Sequence, residues 1–568
     1  MEKLRPGKRG YPVWRMIKET AFVLMAAVLL SPLCFFADIS AEEQDGQSHD
    51  SAFAEIQTGS STCYEIFVYS FRDSDGDRIG DLNGVKEELD YICGKGEDSL
   101  GCDMIWLMPV FPSPTYHKYD VTDYEQIDPQ YGTLEDMESL LSACHERGVR
   151  LILDLPLNHT STAHPWFTEA KEYIKSLEKG QKGSAEDCPY IDFYNFSPEK
   201  QDGFEPLEDT GWYYEARFWA GMPDLNLDNE AVRDEIARIL SFWQEKGVDG
   251  FRLDAVTSYY TQSKEKSISF VEWLTETAKA FDPDCYLVGE AWTDQDTYLQ
   301  YYESGIDSMF DFAFAGQEGV IASVARGNKQ AAWYGQRLVE EEEKLEEYGG
   351  LAVNAPFYTN HDMARSAGYY PNDGGARTKF AWALNLLMPG NAFLYYGEEI
   401  GMNGSGKDEN KRAPMRWDED PSASGMCKGP DDMDAVSMIY PALKEQEGDP
   451  SSVFSCVKKA IGLRQGYPAI AGGKTIFVEK LSGKEICTLI RTMEGEKSIL
   501  MVINASQNDQ LVDLSVLEEE AEASAILQNK DSLTLTPYAI ALLAEGEEDW
   551  VYLNEGCVLP EKSGRRRR

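Results

Sequence analysis

The chain has 568 residues, 42% hydrophobic and 27% charged, a globular balance with room for two or three domains, one as large as a barrel of about 250 residues. Acids outnumber bases by 98 to 53, and the formal net charge of −45 excludes a nucleic-acid surface, which needs the opposite sign. Neutral polymers and small uncharged ligands stay compatible with such a surface.

At the N-terminus, Lys3, Arg5, Lys8, Arg9, Arg15 and Lys18 precede a charge-free run from Thr20 to Ala37. A basic segment before an apolar one, with Ile39-Ser40-Ala41 as the cleavage site, reads as an export signal over residues 1–41. The other reading is an uncleaved anchor, since the run is long enough to hold in a bilayer. Pro32 and Leu33 fit poorly before a lipidated Cys34. Either way the chain is expected outside the cell, with a membrane as partner only if the segment stays uncleaved. Residues 42–62, rich in Ser, Gly, Gln and acids, read as a linker.

From Tyr64 onward, short apolar runs alternate with amphipathic helical stretches. Candidate strands are Glu65–Tyr69, Met104–Met108, Arg150–Asp154, Gly250–Asp254, Tyr286–Glu290, Ser308–Phe312, Val353–Thr359 and Phe393–Tyr396, with helices such as Leu134–Arg147, Glu230–Lys246 and Ile268–Phe281 between them. Eight strand–helix alternations predict an α/β fold, a closed (β/α)₈ barrel over 63–465. The long stretch after the third strand predicts a subdomain at about 160–222, overhanging the barrel mouth. Short alternating segments over 470–550 predict a C-terminal antiparallel β-sandwich, followed by a tail over 551–568 that ends in Arg565–Arg568.

Just after the first strand, Asp73, Asp75, Asp77, Ile79 and Asp81 fall at alternate positions, and carboxylates so spaced suit a hard cation such as Ca²⁺. The loop is not an EF-hand, because Arg78 stands where the glycine is required and no Glu closes it. Of the 11 cysteines, Cys34 lies in the apolar run and ten remain. Cys93 and Cys102 flank the polar stretch Gly94–Gly101, and a local disulfide is expected there; the alternative is a pair of buried free thiols.

Polar clusters fall at four strand ends: Asp154-Leu-Pro-Leu-Asn158-His159, Gly250-Phe-Arg252-Leu-Asp254, Gly289-Glu290-Ala-Trp292 and Asn360-His361-Asp362. A single such acid reads as readily as a helix cap. Four on one rim, with Arg and His interleaved, read as a site. Retaining glycoside cleavage needs two carboxyl groups roughly 5–5.5 Å apart, a separation that adjacent barrel strands provide. Arg252 and Asp254 share one face of their strand, so the guanidinium keeps Asp254 ionised as a nucleophile requires. Glu290, set among apolar neighbours, is suited to staying protonated near neutrality.

These clusters, in this order and spacing, resemble the conserved regions of the α-amylase family, glycoside hydrolase family 13, from about Tyr64 to Glu547. The resemblance implies an α-glucan substrate, with Asp254 as nucleophile, Glu290 as acid/base and Asp362 as transition-state stabiliser. It implies that Arg252, Asp154, His159 and His361 complete the pocket, that Tyr119 stacks on the sugar, and that Asp120 bonds its hydroxyls. Arg412, in Arg412-Ala-Pro-Met-Arg416-Trp417, resembles an arginine near the pocket, and the Asp73–Asp81 loop resembles the structural calcium loop of oligo-glucosidase relatives.

The resemblance divides on linkage. Ala255 favours α-1,4 bonds, whereas Met222-Pro-Asp224-Leu-Asn226 resembles the oligo-1,6-glucosidase and neopullulanase groups. Thr257 and Ser258 replace the Lys-His pair of classical α-amylases, which puts in doubt that pair's product-side contact, the second-domain calcium site and a metal-binding role for Asn158. The balance is an α-1,4-acting amylase or maltodextrinase; the alternatives are an exo-acting α-glucosidase, oligo-1,6-glucosidase or neopullulanase-type enzyme. A non-catalytic, membrane-anchored partner subunit is opposed by the presence of all three carboxylates.

Overall fold

The computed structural model describes residues 60–556 apart from 97, 179–180, 182, 350–351, 371–372, 518–520 and 528–529. The expected export signal, nearly all of the linker and the terminal arginines lie outside the described residues. Among the described residues no helix is long and apolar enough to cross a membrane.

Eight strands form the central sheet: β1 (Thr62–Ile66), β2 (Met104–Leu107), β3 (Arg150–Leu155), β4 (Gly250–Leu253), β5 (Tyr286–Gly289), β6 (Ser308–Phe310), β7 (Val353–Ala355) and β8 (Ala392–Tyr395). Neighbours in sequence pair in parallel from β1 to β7, and β8 pairs with β1. A parallel bridge between Phe357 and Phe393, with the Asn391 N–H donating to the Asn354 carbonyl at 2.8 Å, brings β7 to β8 and closes the barrel. Every residue of β1 to β6 and β8 is buried. That is why these strands read as continuous apolar runs rather than alternating ones. Inside the barrel, Trp106, Ile152, Val288, Phe310 and Phe393 pack as a core of their own, separate from the shell between strands and helices.

The first strand departs from expectation. It starts at Thr62, which pairs with Ala392, and by Val68–Ser70 the chain has already turned into a 3₁₀ helix. Glu65 thereby lies inside the strand, where it was expected to begin one. Side-chain caps set the helix starts. Thr133 and Asp136 form a capping box before Leu134–His145, and Asn229 caps Glu230–Glu245. Ser263 accepts from the Lys266 N–H, so the next helix runs Lys264–Phe281, a turn earlier than its apolar pattern alone indicates.

Between β3 and β4 the chain leaves the barrel to form the helix Pro165–Ser176 and a small antiparallel sheet ordered Phe196–Ser197, Tyr213–Glu215, Phe204–Pro206. Bridges His159–Asp224 and Tyr194–Leu225 tie this excursion back to the rim. After the barrel, an antiparallel sheet of Lys474–Phe477, Ile486–Thr492, Ile499–Asn504, Ile540–Ala544 and Val551–Leu553 faces the pair Gln510–Asp513 and Ser532–Leu535. Leu500, Val502, Leu533, Leu535 and Leu543 fill the space between them, which makes this unit a sandwich.

The expected Cys93–Cys102 disulfide is not formed. Both residues are free and buried, and burial pushes both thiols well above the usual range. They pack as small apolar side chains between the helix Leu89–Cys93 and the approach to β2, the second of the two readings.

Candidate active site

The rim is built by register. Asp154 on β3 sits opposite Arg252 on β4, which sits opposite Val288 on β5, so Asp254 and Glu290 leave neighbouring strand ends side by side. Arg252 is the hub. It is fully buried, with its guanidinium carbon 5.2 Å from the centre of the Trp106 ring. Its Nη1 donates to Asp154 Oδ1 at 2.8 Å and Asp254 Oδ1 at 2.5 Å, while Nη2 lies 2.9 Å from Glu290 Oε2. One planar fork thus orients three carboxyl groups.

Burial acts differently on each. It pushes the Glu290 carboxyl up to about 7, against the pull of Arg252 and with the help of the Asp254 charge. Asp154 rises to about 6 for the same reason, again against Arg252. A carboxyl near 7 is half protonated at neutrality, as a general acid needs. Glu290 Oε2 also accepts from the Ala255 N–H at 3.1 Å, and Glu290 Oε1 is buried without a partner. To present that N–H, Ala255 adopts φ 44°, ψ 48°, a left-handed conformation that costs energy for a residue with a Cβ.

A second cluster holds Asp362. His361 Nε2 lies 3.1 Å from Asp362 Oδ2, and Arg412 Nη2 lies 3.2 Å from Asp362 Oδ1. Burial pushes Asp362 up, but these two cations outweigh it and hold the carboxyl well below the usual carboxylate range. His361 in turn is raised to about 10, because Asp362 and Glu65 overcome its own desolvation; Glu65 Oε1 is 2.5 Å from Nδ1. Tyr119 ties the clusters together. Its hydroxyl donates to Asp154 Oδ2 at 2.9 Å and lies 2.8 Å from His361 Nε2, with its ring stacked on the imidazole at 5.6 Å.

Asp254, Glu290, Asp362, Tyr119, His159 and Arg412 line one cavity of about 400 Å³. His159 is buried there with neither ring nitrogen in a well-formed hydrogen bond, and its burial keeps it neutral, ready to meet a hydroxyl group. Arg252, Asp154 and His361 stand behind the wall and act through the residues that line it. Asp120 is not on the wall: it is buried and accepts from the Ser113 hydroxyl at 2.7 Å and from Thr115, which fixes its own loop. The wall also holds Trp292, from the Gly289–Trp292 cluster, and His117, Phe218 and Asp408, to which the sequence assigned no role. Asp408 Oδ1 meets Arg412 Nη1 at 2.5 Å, four residues along the chain, and that spacing was a usable signal.

In the loop after β1, carboxylate oxygens of Asp73, Asp75 and Asp81 converge within 4.8 Å of one another, with Asp73 and Asp81 buried. Asp77 stays out of this group, its Oδ1 accepting from the Ile79 N–H at 2.7 Å. Three acids drawn together are a donor set of the type a hard divalent cation takes. At the base of the inserted subdomain the Asn158 amide donates to Asp224 at 3.1 Å, so these two residues satisfy each other.

A family model described as the alpha amylase catalytic domain matches residues 65–473. The chain belongs to the α-amylase family. Alpha-amylase 3 of Dictyoglomus thermophilum is 39% identical over 455 residues, 78% of this chain and 83% of its own. The oligo-1,6-glucosidase of Heyndrickxia coagulans is 30% identical, over 78% of this chain and 91% of its own. The solved structure titled Eubacterium rectale Amy13B is 46% identical and superimposes with a TM-score of 0.82, over 88% of this chain and 99% of that one. This member of the α-amylase family is accordingly a glycoside hydrolase of α-glucans, with the barrel and C-terminal sandwich expected from its sequence.

Proposed function

We propose that the protein is a secreted, retaining hydrolase of starch-derived glucans and maltodextrins, cleaving mainly α-1,4 bonds through a covalent glycosyl-enzyme. The observation that carries this reading is the Arg252 fork: one guanidinium reaches Asp254 through Nη1 and Glu290 through Nη2. Two carboxyl groups on a single guanidinium suit the close pair of a retaining enzyme, roughly 5–5.5 Å apart, better than the roughly 6.5–9.5 Å pair of an inverting one. Asp254, ionised, attacks the anomeric carbon. Glu290, protonated, gives its proton to the leaving oxygen. Asp362, held ionised by His361 and Arg412, accepts from sugar hydroxyls as positive charge builds on the ring. His159 and Tyr119 line the sugar's other side.

Calcium at Asp73, Asp75 and Asp81 belongs to the same reading as a structural ion that pins the loop between β1 and the helix Leu82–Glu87. Export rests on the basic and apolar segments before Asp38. For α-1,4 bonds, Ala255 and the 39% identity to an α-amylase speak together. The second reading, an exo-acting oligo-1,6-glucosidase, is favoured by the Met222–Asn226 motif and the 30% relative. Product profiles from starch, pullulan, isomaltose and maltoheptaose separate them: depolymerised starch without glucose release from isomaltose supports the first, and the reverse pattern overturns it. Glu290→Gln must lower activity on whichever of these α-glucans is cut.

A further inference from the structure

Glu65 is an acid in the interior of the barrel. Cys63, two residues earlier, belongs to the inner core, so Glu65 points inward as well. It sits opposite Trp106 on β2 and Tyr395 on β8, is 1% exposed, and lies outside the wall of the catalytic cavity. A buried carboxylate is costly unless a cation meets it. His361 meets it, equally buried, with Nδ1 2.5 Å from Glu65 Oε1. The imidazole is thereby enclosed by acceptors. Nε2 faces Asp362 Oδ2 at 3.1 Å and the Tyr119 hydroxyl at 2.8 Å, and that hydroxyl gives its own proton to Asp154 Oδ2. A neutral imidazole has one N–H and one lone pair, so against an ionised Glu65 one nitrogen would set its lone pair against an oxygen. The imidazolium donates on both sides.

We propose that Glu65 is a positioning residue for the hydrolytic reaction: it fixes His361 as an imidazolium, so that the hold of Asp362 on the sugar hydroxyls does not vary with pH. The inference rests on the role given to Asp362 above. Glu65 touches no substrate and acts through His361 and Asp362 in turn. Other groups around the ring pull in both directions. The Asp154 and Glu290 carboxyls are close enough to feel its charge, and the Tyr395 ring packs edge-on against it at 6.5 Å. Arg252, across the Trp106 ring, and Arg412, across Asp362, carry the same sign and oppose it. Against the desolvation that lowers it, Asp362 and Glu65 raise His361 to about 10. Glu65→Gln removes one of those two charges and keeps the side chain's shape, leaving Asp362 alone in contact to hold the second proton.

The test uses the full chain with ¹⁵N in its six histidines, the His361 signals being those lost in His361→Gln. In wild type both ring nitrogens of His361 should stay protonated from pH 6 to 9, and in Glu65→Gln one should lose its proton within that range. Activity gives the second readout. The ratio of Glu65→Gln to wild-type kcat/KM on maltoheptaose should fall at least about tenfold between pH 6 and 9, since the protonated fraction drops tenfold for each pH unit above a group's titration point. A role in packing alone would lower that ratio equally at both pH values. Glu65→Asp, which keeps the charge, should retain the wild-type pH dependence. The inference is overturned if His361 holds a single ring proton in wild type at pH 8, a result that needs no variant. It is also overturned if Glu65→Gln keeps both protons to pH 9, or if its activity ratio does not change with pH. If wild type cuts no α-glucan, it is the function reading that fails, and the nitrogen signals still decide the state of His361.

Discussion

Replacing Arg252 by Met keeps much of the side chain's bulk and removes the fork. Asp154 and Glu290 then lose the cation that lowers their carboxyl groups, and Asp254 loses a 2.5 Å partner. Removing one partner from a buried pair costs about 3–5 kcal/mol, and here a single guanidinium serves three acids. The cost depends on pH. With Arg252 present the two carboxyls already titrate at about 6 and about 7; without it both rise further above an unfolded value near 4. The folded variant therefore holds protons that the unfolded chain releases, and its stability falls as pH climbs from about 4 through the raised values. Thermal unfolding of the two proteins should differ least at pH 4–5 and most at pH 8. Activity should fall more than stability, because Asp254 loses the 2.5 Å partner that orients it. A drop of at least about 10³-fold in kcat/KM, some 4 kcal/mol, is expected at pH 6. Arg252→Lys separates the two roles: a point charge should recover part of the stability at pH 8 but little of the activity. A Met variant that melts with wild type at pH 8, or keeps kcat/KM within tenfold, refutes the hub assignment.

Glu290 at about 7 should give kcat/KM on maltoheptaose a basic limb near neutral pH, since the acid must enter protonated; the limb should be missing from the residual activity of Glu290→Gln toward substrates with an activated leaving group. A chelator should lower the melting temperature, calcium at 100 times its dissociation constant restoring about 2.7 kcal/mol, and the exposed Asp75→Ala should no longer respond; an equal response in both proteins would remove the metal site. Away from the site, burial raises Glu341 well above the usual range, with help from Asp311, while Tyr298 donates to it at 2.8 Å. The folded state keeps that proton while the unfolded chain loses it near pH 4, so Glu341 by itself should contribute a decline in stability of about 1.4 kcal/mol per pH unit above that point until it ionises. Glu341→Gln supplies a permanent donor to Asp311 and should make the decline above pH 4 shallower than in wild type in thermal melts.

What could be read in the sequence was what lies close along the chain. Arg252 and Asp254 share a strand face at a spacing of two, and Asn360, His361 and Asp362 are consecutive, so their clustering shows without a fold. Glu65 is different. It is one acid within the apolar Thr62–Ile66, and its purpose is visible only when barrel closure sets it against His361, 296 positions away. Trp106 reads as any core aromatic until Arg252 lies over its ring. Asp120 sits beside Tyr119 in the same motif, and the bonds that Ser113 and Thr115 make to its Oδ1 show only once the loop is folded. Motif position carries a residue to the neighbourhood of the site; the loop's own hydrogen bonds decide which way it faces. The Cys93–Cys102 spacing was likewise compatible with a bridge and with two packed thiols, and only the folded structure, in which the two sulfurs are unbonded, separates these.

The proposed cycle needs Glu290 to be an acid in its first half and a base in its second, and the charges around it supply the change. Asp254 is among the groups that raise Glu290, whereas Arg252 lowers it. When Asp254 forms its ester with the sugar, its negative charge is gone and that upward push ends. Arg252, still 2.9 Å from Glu290, is then shared by fewer anions and stabilises the Glu290 carboxylate more strongly. The carboxyl falls from about 7 in the free enzyme to a lower value in the intermediate, at the moment it must deprotonate to activate water. Asp362 keeps its charge through this exchange, because the cations in contact with it are His361, braced by Glu65, and Arg412, braced by Asp408. Glu290 must change protonation during each turnover while Asp362 must hold its charge throughout, and the two cations in contact with Asp362 keep it ionised.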